Sequence, residues 1–552
     1  MLVIVPHAYR DLVAARMNGT IPKTSAHIVN DGHTFYFDGC FVSIPLNNGT
    51  ALFSAPSIMR HVTAGKENLL AGDFISSLQN AVGPFLAVVV TDTEFSIVSS
   101  LYRHRDVFYW NYEEQWCATD DLSVVETLSD RRSLNVSFAR DFVLDTLACG
   151  PETMFEGLHQ VELGTSHTFT LEGGVRRKLI NLPAPPQADL AEVLIENISH
   201  FAAGKERVIV RFSGGLDSSL ILAATMEAIG SCEALHTIIP EDSQHTELDI
   251  AEDVARNLGC KLNVLRSSYR LSDARKEFRG TRTVSSPFDV YPFSRDATDR
   301  SGAFLEGFST EDKDRAIFLS GQGGDNVFMQ NPPLAIVKDA LFEHGPIAFG
   351  RETIKLSRLK SISIFEILHR AFSRNTSQVQ KRIVDARPTK PHLLIENLSS
   401  TSARYQYLRS IFEALQQYET FDEFGVASIH PLLLQNMVAL AINIDIRSLY
   451  SARYDRMPQR KQLHSRYNLD VSWRRTKKSA TGAVFLYFMN NRDVIRDTLL
   501  DGIVAPALAI DRRWLQNTID YNGTVAITDD FALVYNLLRL EIFCQQHAGK
   551  LR

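Results

Sequence analysis

The sequence lacks the features of a secreted or membrane-spanning protein. Its six cysteines, spread over 552 residues, form no CxxC pair and no metal-ligand spacing, which predicts reduced and mostly buried thiols. The longest apolar stretch, Phe85–Val90, is far shorter than the ~20 residues that a membrane span needs. No basic residue precedes the short apolar run at the N-terminus, as a signal peptide would require. We therefore expect a cytoplasmic protein with no membrane partner.

An excess of positive charge is also absent. The sequence has 58 Lys and Arg residues and 64 Asp and Glu residues, which gives a net charge of −6. Proteins that act mainly on nucleic acid usually carry the opposite balance, so we expect no nucleic-acid partner. The apolar share of 45% and the charged share of 22% are those of globular chains, which excludes intrinsic disorder.

Two parts of the chain differ in their predicted secondary structure. The first contains short β-branched and aromatic runs between turn residues, which predict strands: FYFDGCFVSI, GPFLAVVVTD, EFSIVSSLY and SHTFTLEGG. Prolines at 183, 185 and 186 then interrupt regular structure, and a helix is expected to begin near Asp189. We place a linker here and predict domains at 1–187 and 188–552. An ordinary loop inside one domain is the alternative.

The second part begins with strand–helix alternation. Val208–Phe212 is predicted as a buried strand, followed by a helix that ends at Gly230. EALHTIIPED and KLNVLRSS predict further strands around a helix that ends at Gly259, and RAIFLS predicts a later strand. Such alternation is typical of a doubly wound parallel sheet, which binds ligands at the carboxyl ends of its strands. Beyond residue 332 the pattern is mostly helical.

The strongest motif is SGGLDSS at residues 213–219, between a predicted strand and its helix. Gly214 and Gly215 allow a tight turn and a close approach to a ligand. Free amides at the start of the helix form an anion site. Asp217 would repel a phosphate there unless a cation lay between them, so the motif implies Mg²⁺. A turn that is merely well capped would not explain this acid.

A second glycine loop, SGQGGDNVF at residues 320–328, follows the later strand and contains Asp325. If the two strands are neighbours, Asp217 and Asp325 face the same crevice at the carboxyl edge of the sheet. Alone, this loop could be an ordinary glycine turn. Together, the two loops predict one nucleotide site.

Both loops resemble known motifs. The first resembles the SGGxDS loop of the PP-loop ATP pyrophosphatases, which cleave ATP between the α and β phosphates; it lacks the GK[ST] of a Walker A loop. The second resembles the SGxGxD loop of asparagine-synthetase-like enzymes, in which the two acids share magnesium. In the first part, GPFLAVVVTD, LYRHRDVFYW, CATDDL and ETMFEGLHQVELG follow in order the pattern of the glutaminase-like domain of asparagine synthetases. The resemblance therefore spans most of the chain.

This resemblance implies a fold and an ATP site. The fold would be α/β, with an N-terminal glutaminase-like (Ntn-type) α+β sandwich followed by a doubly wound PP-loop ATP pyrophosphatase domain with a helical C-terminal part. Asp217 and Asp325 would hold Mg²⁺ and take part in catalysis, and Asp217 would also contact ATP. The other ATP-binding residues that it implies are Ser213, Gly214, Gly215, Ser218, Ser219, Ile238, Gly321 and Gly323.

A lysine downstream is a further catalytic candidate. Arg475-Thr476-Lys477 resembles the Arg-x-Lys segment of these families, whose lysine reaches the acyl-adenylate and pyrophosphate. A fixed ammonium beside developing negative charge stabilises the transition state. Gly482 lies one residue closer than in some relatives, so Lys478 is a rival and a plain basic surface loop is an alternative.

The N-terminus departs from the glutaminase pattern. Those domains expose a catalytic cysteine directly after Met removal, whereas this sequence begins Met1-Leu2 and its first cysteine is Cys40, in a predicted strand. We therefore expect no glutaminase activity, and a substrate amine as the nucleophile. Two groups of the superfamily that lack this cysteine close amide rings: β-lactam synthetases and lasso-peptide cyclases.

Gln322 helps to separate these two groups and is counted among the catalytic candidates. In β-lactam synthetases a tyrosine at this position belongs to a Tyr–Glu base pair, whereas glutamine cannot serve as a base. A peptide α-amine titrates at about 7.7–8.0 and needs little help to become neutral. The segment GQGGDNVF resembles lasso-peptide cyclases most. Alternatively, Gln322 only forms hydrogen bonds within the turn.

The resemblance thus predicts an ATP-dependent, AMP-forming ligase that makes a macrolactam. It would adenylate an Asp or Glu side chain of a precursor peptide and join it to the N-terminal amine of that peptide. A leader peptidase and leader-binding proteins are the other implied partners. The basic segment 345–391, with ten Lys or Arg against three acids, is either a dock for an acidic peptide or partner or a solvated helix face. Alternative functions are a β-lactam or asparagine synthetase, a PP-loop RNA-modifying enzyme and a non-catalytic scaffold.

Overall fold

A computed structural model describes most of the chain. The described residues are 1–6, 26–30, 33–37, 41–55, 69–128, 132–147, 150–238, 247–266, 286–290, 304–305, 307–373, 392–417, 426–475, 488, 491–520 and 529–547. They form three β-sheets and a set of helices, so the mixed α/β class is confirmed.

The first 179 residues supply two antiparallel sheets of six strands each. The strand order is β10-β8-β9-β1-β3-β2 in sheet A and β12-β11-β7-β6-β5-β4 in sheet B. The strands are β1 Leu2–Pro6, β2 Ala26–Val29, β3 His33–Phe37, β4 Val42–Leu46, β5 Gly49–Ser54, β6 Leu86–Val90, β7 Glu94–Ser99, β8 Phe108–Tyr112, β9 Gln115–Thr119, β10 Leu158–Gln160, β11 Thr165–Thr170 and β12 Val175–Leu179. Phe35, Leu52, Val88 and Tyr109 belong to the apolar core that the two sheets share. The four strand-forming runs of the sequence are confirmed; FYFDGCFVSI contributes to both β3 and β4, and Cys40 lies outside the described residues.

The third sheet is parallel, with the order β15-β14-β13-β16-β17. Its strands are β13 Arg207–Arg211, β14 Glu233–Ile238, β15 Lys261–Arg266, β16 Ala316–Ser320 and β17 Ala427–Ile429. Val208 and Val210 face one apolar core and Ile209 faces another, so this sheet is buried on both faces, as parallel sheets generally are. Beyond residue 332 the described residues are mostly helical, as expected; the exception is β17, because a three-residue strand is too short to show a period of two.

Helices surround all three sheets. They are α1 Ala71–Ser77, α2 Leu122–Leu128, α3 Val136–Leu144, α4 Leu190–Ala202, α5 Leu216–Ile229, α6 Leu248–Asn257, α7 Thr310–Asp314, α8 Gly324–Val327, α9 Ala335–Lys360, α10 Ile364–Phe372, α11 Leu393–Leu398, α12 Ser402–Gln417, α13 Gln435–Ile442, α14 Met457–Tyr467, α15 Arg492–Leu500, α16 Val504–Ala507, α17 Arg512–Asp520 and α18 Asp529–Gln546. Helix α9 is broken at Gly345, whose φ is +80°, just before Pro346. No helix in the described part of the chain is long and apolar enough to cross a membrane.

The predicted helix start near Asp189 is confirmed. The Asp189 side chain accepts a hydrogen bond from the Glu192 amide, and the Glu192 side chain accepts one from the Asp189 amide, which makes a reciprocal cap for α4. The residues before it, 180–187, form neither helix nor strand. A linker at this point agrees with the structure, while the domain bounds remain a prediction.

The C-terminal helices return to the beginning of the chain. Leu537 and Leu538 of α18 belong to one apolar core with Val3 and Val5 of β1 and with Phe142 of α3. Helix α18 therefore packs with the N-terminal sheet A rather than with the parallel sheet.

Polar contacts also join the N-terminal region to the rest of the chain. The Arg103 guanidinium donates to Asp289 at 2.5 and 2.8 Å and to Asp106 at 3.0 Å. The side-chain amide of Gln435 exchanges two hydrogen bonds with the backbone of Gly83, at 2.7 and 2.8 Å. Because Arg103 and Gln435 are both buried, these contacts fix the two regions against each other.

Candidate active site

The first glycine loop connects β13 to α5 at the carboxyl end of the parallel sheet. Gly214 has a φ of +78°, and a Cβ atom on it would lie 3.3 Å from the backbone of Glu247 and Ala251, so glycine is required on both counts. The Ser218 hydroxyl receives hydrogen bonds within the loop from Ser213 and donates to the carbonyl of Gly215 at 3.1 Å. Helix α5 starts after Gly215, and no side chain caps it. An uncapped helix start next to a glycine loop is a common place for an anion to bind.

The second glycine loop connects β16 to α8 and packs directly on the first. Strands β13 and β16 are neighbours, with Arg211 opposite Ser320. A Cβ atom on Gly321 would lie 2.5 Å from the Ser218 amide, and one on Gly324 would lie 2.6 Å from the Asp217 carboxylate. Only glycine lets the two loops approach this closely, which explains the spacing of both motifs.

The carboxylates of Asp217 and Asp325 both accept a hydrogen bond from the same nitrogen atom. Asp217 accepts a hydrogen bond at 2.7 Å from Nη1 of Arg456, and the same nitrogen donates to Asp325. The prediction that Asp217 and Asp325 share a crevice is thus supported by this geometry. Arg456 itself was missed, because the sequence offers many arginines and nothing in their spacing marks this one. The only signal was indirect: a buried acid pair requires a counter-charge.

Arg456 is held in place from several sides. It is 3% exposed, has a φ of +48° and immediately precedes α14. Burial lowers the pKa of Arg456, but Asp217, Asp325 and Asp455 together raise it by more than burial lowers it. The pKa is therefore above its ordinary value, and the guanidinium stays charged. Gln459, one turn into α14, donates to the other oxygen of Asp217 at 2.6 Å. Each oxygen of Asp217 therefore accepts a hydrogen bond from a side chain of this segment.

A cavity of about 300 Å³ opens beside these loops. One side of it is the first glycine loop. The other sides are Glu247 before α6, the connection between α8 and α9, the end of α9 and the segment around α14. The cationic side chains that line it are Lys360, Arg453, Arg456, Arg460, Arg474 and Arg475. Three of them are held by acids: Arg456 by Asp217 and Asp325, Arg460 by Asp455 at 2.8 Å, and Arg474 by Glu247 at 2.9 Å. A cavity with this many cations on a glycine-loop floor suits a polyphosphate.

The remaining predicted residues fall into three groups. Ser219 is buried in the first turn of α5, and Ile238 is buried at the end of β14, on the edge that carries the two glycine loops. Gln322 and Gly323 lie in the second loop, with the Gln322 side chain exposed and Gly323 at a φ of +82°. Lys477 and its rival Lys478 lie outside the described residues, although Arg475 lines the cavity.

The donor set fits a divalent cation. Two carboxylates that converge on one point offer the hard oxygen ligands that Mg²⁺ prefers, and Mg²⁺ commonly completes its shell with water and phosphate oxygens. Among the described residues, no three His, Cys, Asp or Glu side chains cluster as an all-protein metal site would require. Asp217 and Asp325 could therefore hold Mg²⁺ together with water and phosphate oxygens, in exchange for their contact with Arg456.

Comparison with protein families agrees with this site. Residues 189–531 match the family model described as asparagine synthase. The chain belongs to the asparagine synthase family. It is an ATP-dependent ligase that forms amide bonds. The match contains both glycine loops, Asp217, Asp325 and Arg456.

The chain is also similar to individual proteins. It is 22% identical over 475 residues, 85% of this chain and 86% of the relative, to the Microcin J25-processing protein McjC of Escherichia coli. Two solved structures show 10% identity: the allosteric regulatory enzyme of purine biosynthesis (48% of this chain, 80% of that one, TM-score 0.23) and the glutamine phosphoribosylpyrophosphate amidotransferase from B. subtilis with ADP and GMP (73% and 99%, TM-score 0.20). These TM-scores are low, so the fold rests on the strands and sheets described above.

Proposed function

We propose that this asparagine synthase family member is a macrolactam synthetase of the lasso-peptide type. It adenylates an Asp or Glu side chain of a precursor peptide and joins that side chain to the peptide's own N-terminal amine. The relationship to a microcin J25-processing protein supports a peptide substrate. Residues 1–187 would be a glutaminase-like domain without glutaminase activity, and residues 188–552 the PP-loop ligase domain.

One observation carries the proposal: Asp217 and Asp325, delivered by two glycine loops from neighbouring strands, converge on one point beside a cationic cavity. Bound there, Mg²⁺ would neutralise phosphate charge next to the two acids. The amides of the first loop and the arginines of the cavity would bind the β and γ phosphates.

The chain's own residues can then support two steps. A substrate carboxylate attacks the α-phosphorus, the bond to the bridging oxygen breaks, and pyrophosphate leaves toward Arg453, Arg456 and Arg475. Their fixed charges stabilise the leaving group, because they are already in place before the reaction. The amine next attacks the acyl carbon, AMP leaves and one proton is released. Lys477 would stabilise the developing charge in this region.

The second step needs little help from a base. Amine and acyl-adenylate belong to one peptide, so holding them together gives a high effective concentration. A peptide amine with a pKa of about 7.7–8.0 is partly neutral at physiological pH. The exposed position of Gln322 agrees with a residue that takes no proton.

Mass spectrometry of the peptide encoded beside this gene tests the proposal. Incubated with enzyme, ATP and Mg²⁺, the peptide should lose one water, and AMP and pyrophosphate should appear in equal amounts. Acetylation of the N-terminal amine should abolish the ring while leaving adenylation, measured as ATP–pyrophosphate exchange, intact. Stoichiometric ADP, or free asparagine formed from aspartate and ammonia, would reject this function.

A further inference from the structure

Two cysteine side chains lie next to each other at the edge of the parallel sheet. Cys232 directly precedes β14 and Cys260 directly precedes β15, and these strands are paired with Glu233 opposite Lys261. The two Sγ atoms are 3.8 Å apart. Both side chains are half-buried, whereas Cys117 and Cys544 are fully buried. Nothing in the sequence predicts the pair, because the two cysteines are 28 positions apart along the chain.

The backbone geometry permits a bond between them. Adjacent strands lie about 4.8 Å apart, within the Cα separation of about 4.4–6.8 Å that disulfides require. The Cys260 amide donates to the Ala255 carbonyl at 2.9 Å, which fixes the start of β15 against the end of α6. A rotation of the two side chains would suffice to bring the sulfur atoms together, and the strands need not move.

The two thiols are also chemically unequal. Their mutual hydrogen bond lowers the pKa of Cys260 and raises that of Cys232, because the shared proton stabilises a thiolate on Cys260. Cys260 is therefore the better nucleophile, and Cys232 is placed to react second.

We propose that Cys232 and Cys260 form a disulfide by exchange with small oxidised disulfides, such as oxidised glutathione. The Cys260 thiolate attacks one sulfur of the small disulfide, which gives a mixed disulfide and releases one thiolate. Cys232 then loses its proton and attacks Sγ of Cys260, which expels the second thiol. Two protein thiols are oxidised and one small disulfide is reduced to two thiols.

The bond would close a loop that carries β14 and α6. This unit reaches the candidate active site through Glu247, which lines the cavity and pairs with Arg474, and through its contact with Gly214. The cysteines, however, lie at the opposite ends of the strands. Oxidation should therefore stabilise the unit without obstructing ATP.

Peptide mapping gives a sharp test. Incubated with oxidised glutathione, alkylated and cut with trypsin, the protein should yield residues 212–256 linked to 257–261, because cleavage after Arg256 separates the two cysteines. Cys117 and Cys544 are internal controls: burial raises the pKa of both thiols, and both should stay reduced in the native protein. Oxidation of Cys117 or Cys544 as fast as the pair would overturn the proposal, as would equally fast formation of this link in guanidinium, where no fold aligns the two thiols.

Two variants test the order of the steps. Cys232→Ser should accumulate a stable mixed disulfide on Cys260, whereas Cys260→Ser should lose the fast reaction. The oxidised native protein should gain at least about 3 °C in Tm, and identically treated Cys232→Ser should gain none. A mixed disulfide that persists on Cys260 of the native protein, without transfer to Cys232, would refute the pairing.

Discussion

Two buried arginines, each bound by two carboxylates, serve different parts of the molecule. Arg103 lies between Asp106 and Asp289 and joins the N-terminal region to the remainder of the chain. Arg456 lies between Asp217 and Asp325 beside the candidate ATP site. Both guanidinium groups are less than a tenth exposed, and acids raise the pKa of both against the effect of burial.

The surroundings of the two clusters distinguish them. Asp106 and Asp289 are 5% and 7% exposed, and the void beside them measures only about 40 Å³. Asp325 is 36% exposed, and a cavity of about 300 Å³ adjoins its cluster. A buried charge cluster is therefore insufficient to identify a site; its position at strand ends, between glycine loops and beside a cavity, is what points to function.

Removing the cation should affect the two clusters differently. We expect Arg103→Met to lower the free energy of unfolding by about 3–5 kcal/mol, because it leaves Asp106 and Asp289 buried without a partner. Arg456→Met should cost less than half as much, since the Asp325 side chain is 36% exposed and can be solvated, but it should abolish ligation. Urea unfolding of both variants measures the difference. Equal losses of stability would show that the two clusters are equivalent.

Removing charge from the acids should affect turnover rather than folding. We expect Asp217→Asn and Asp325→Asn each to lower kcat at least ~100-fold, about 2.7 kcal/mol, because each weakens the hold on the cation that binds phosphate. Circular dichroism and Tm should remain close to those of the parent protein. Near-normal ATP–pyrophosphate exchange in both variants would remove the proposed site.

Two buried histidines should make the protein sensitive to acid. Burial lowers the pKa of His167 to about 3 and that of His392, which lines the void near Arg103, to about 4. Below pH ~6.5 the unfolded chain takes up protons that the folded chain does not. As the pH is lowered below ~6.5, the free energy of unfolding should therefore decrease. For each histidine the decrease is up to about 1.4 kcal/mol per pH unit, until the pH reaches the pKa of that histidine in the folded state.

Urea unfolding between pH 7 and 5 measures this slope, and His167→Leu should reduce it. The matched control His464→Leu removes a histidine of α14 that is far more exposed. The same slope in all three proteins would contradict the assignment to His167.

The smallest expected effect concerns Gln322. Gln322→Ala should lower kcat/KM only about fivefold, or ~1 kcal/mol, the contribution of one neutral hydrogen bond. The pH profile should follow the amine of the peptide and shift when that amine is altered. A loss of several hundredfold, with a profile indifferent to the substrate amine, would favour a mechanism of the β-lactam synthetase kind.

The sequence predicted the two glycine loops better than the groups that complete them. SGGLDSS and SGQGGD could be recognised because backbone turns and close approaches demand glycine at fixed positions. Arg456 and Gln459 could not, because their role depends on α14 packing over Asp217, a contact between residues about 240 positions apart. The strand β17 and the return of α18 to sheet A were missed for the same reason: local patterns carry no information about distant partners.

Helix α18 shares an apolar core with β1, and this has a consequence for synthesis in the cell. The first strands leave the ribosome long before α18, since almost the whole chain lies between Val5 and Leu537. At about 5–20 residues per second, this delay lasts roughly 25 to 100 seconds. During that time the part of this core that α18 fills stays open to chaperones and to other nascent chains. Among the described helices, the last to be translated therefore completes the core of a sheet whose first strand was translated at the very beginning.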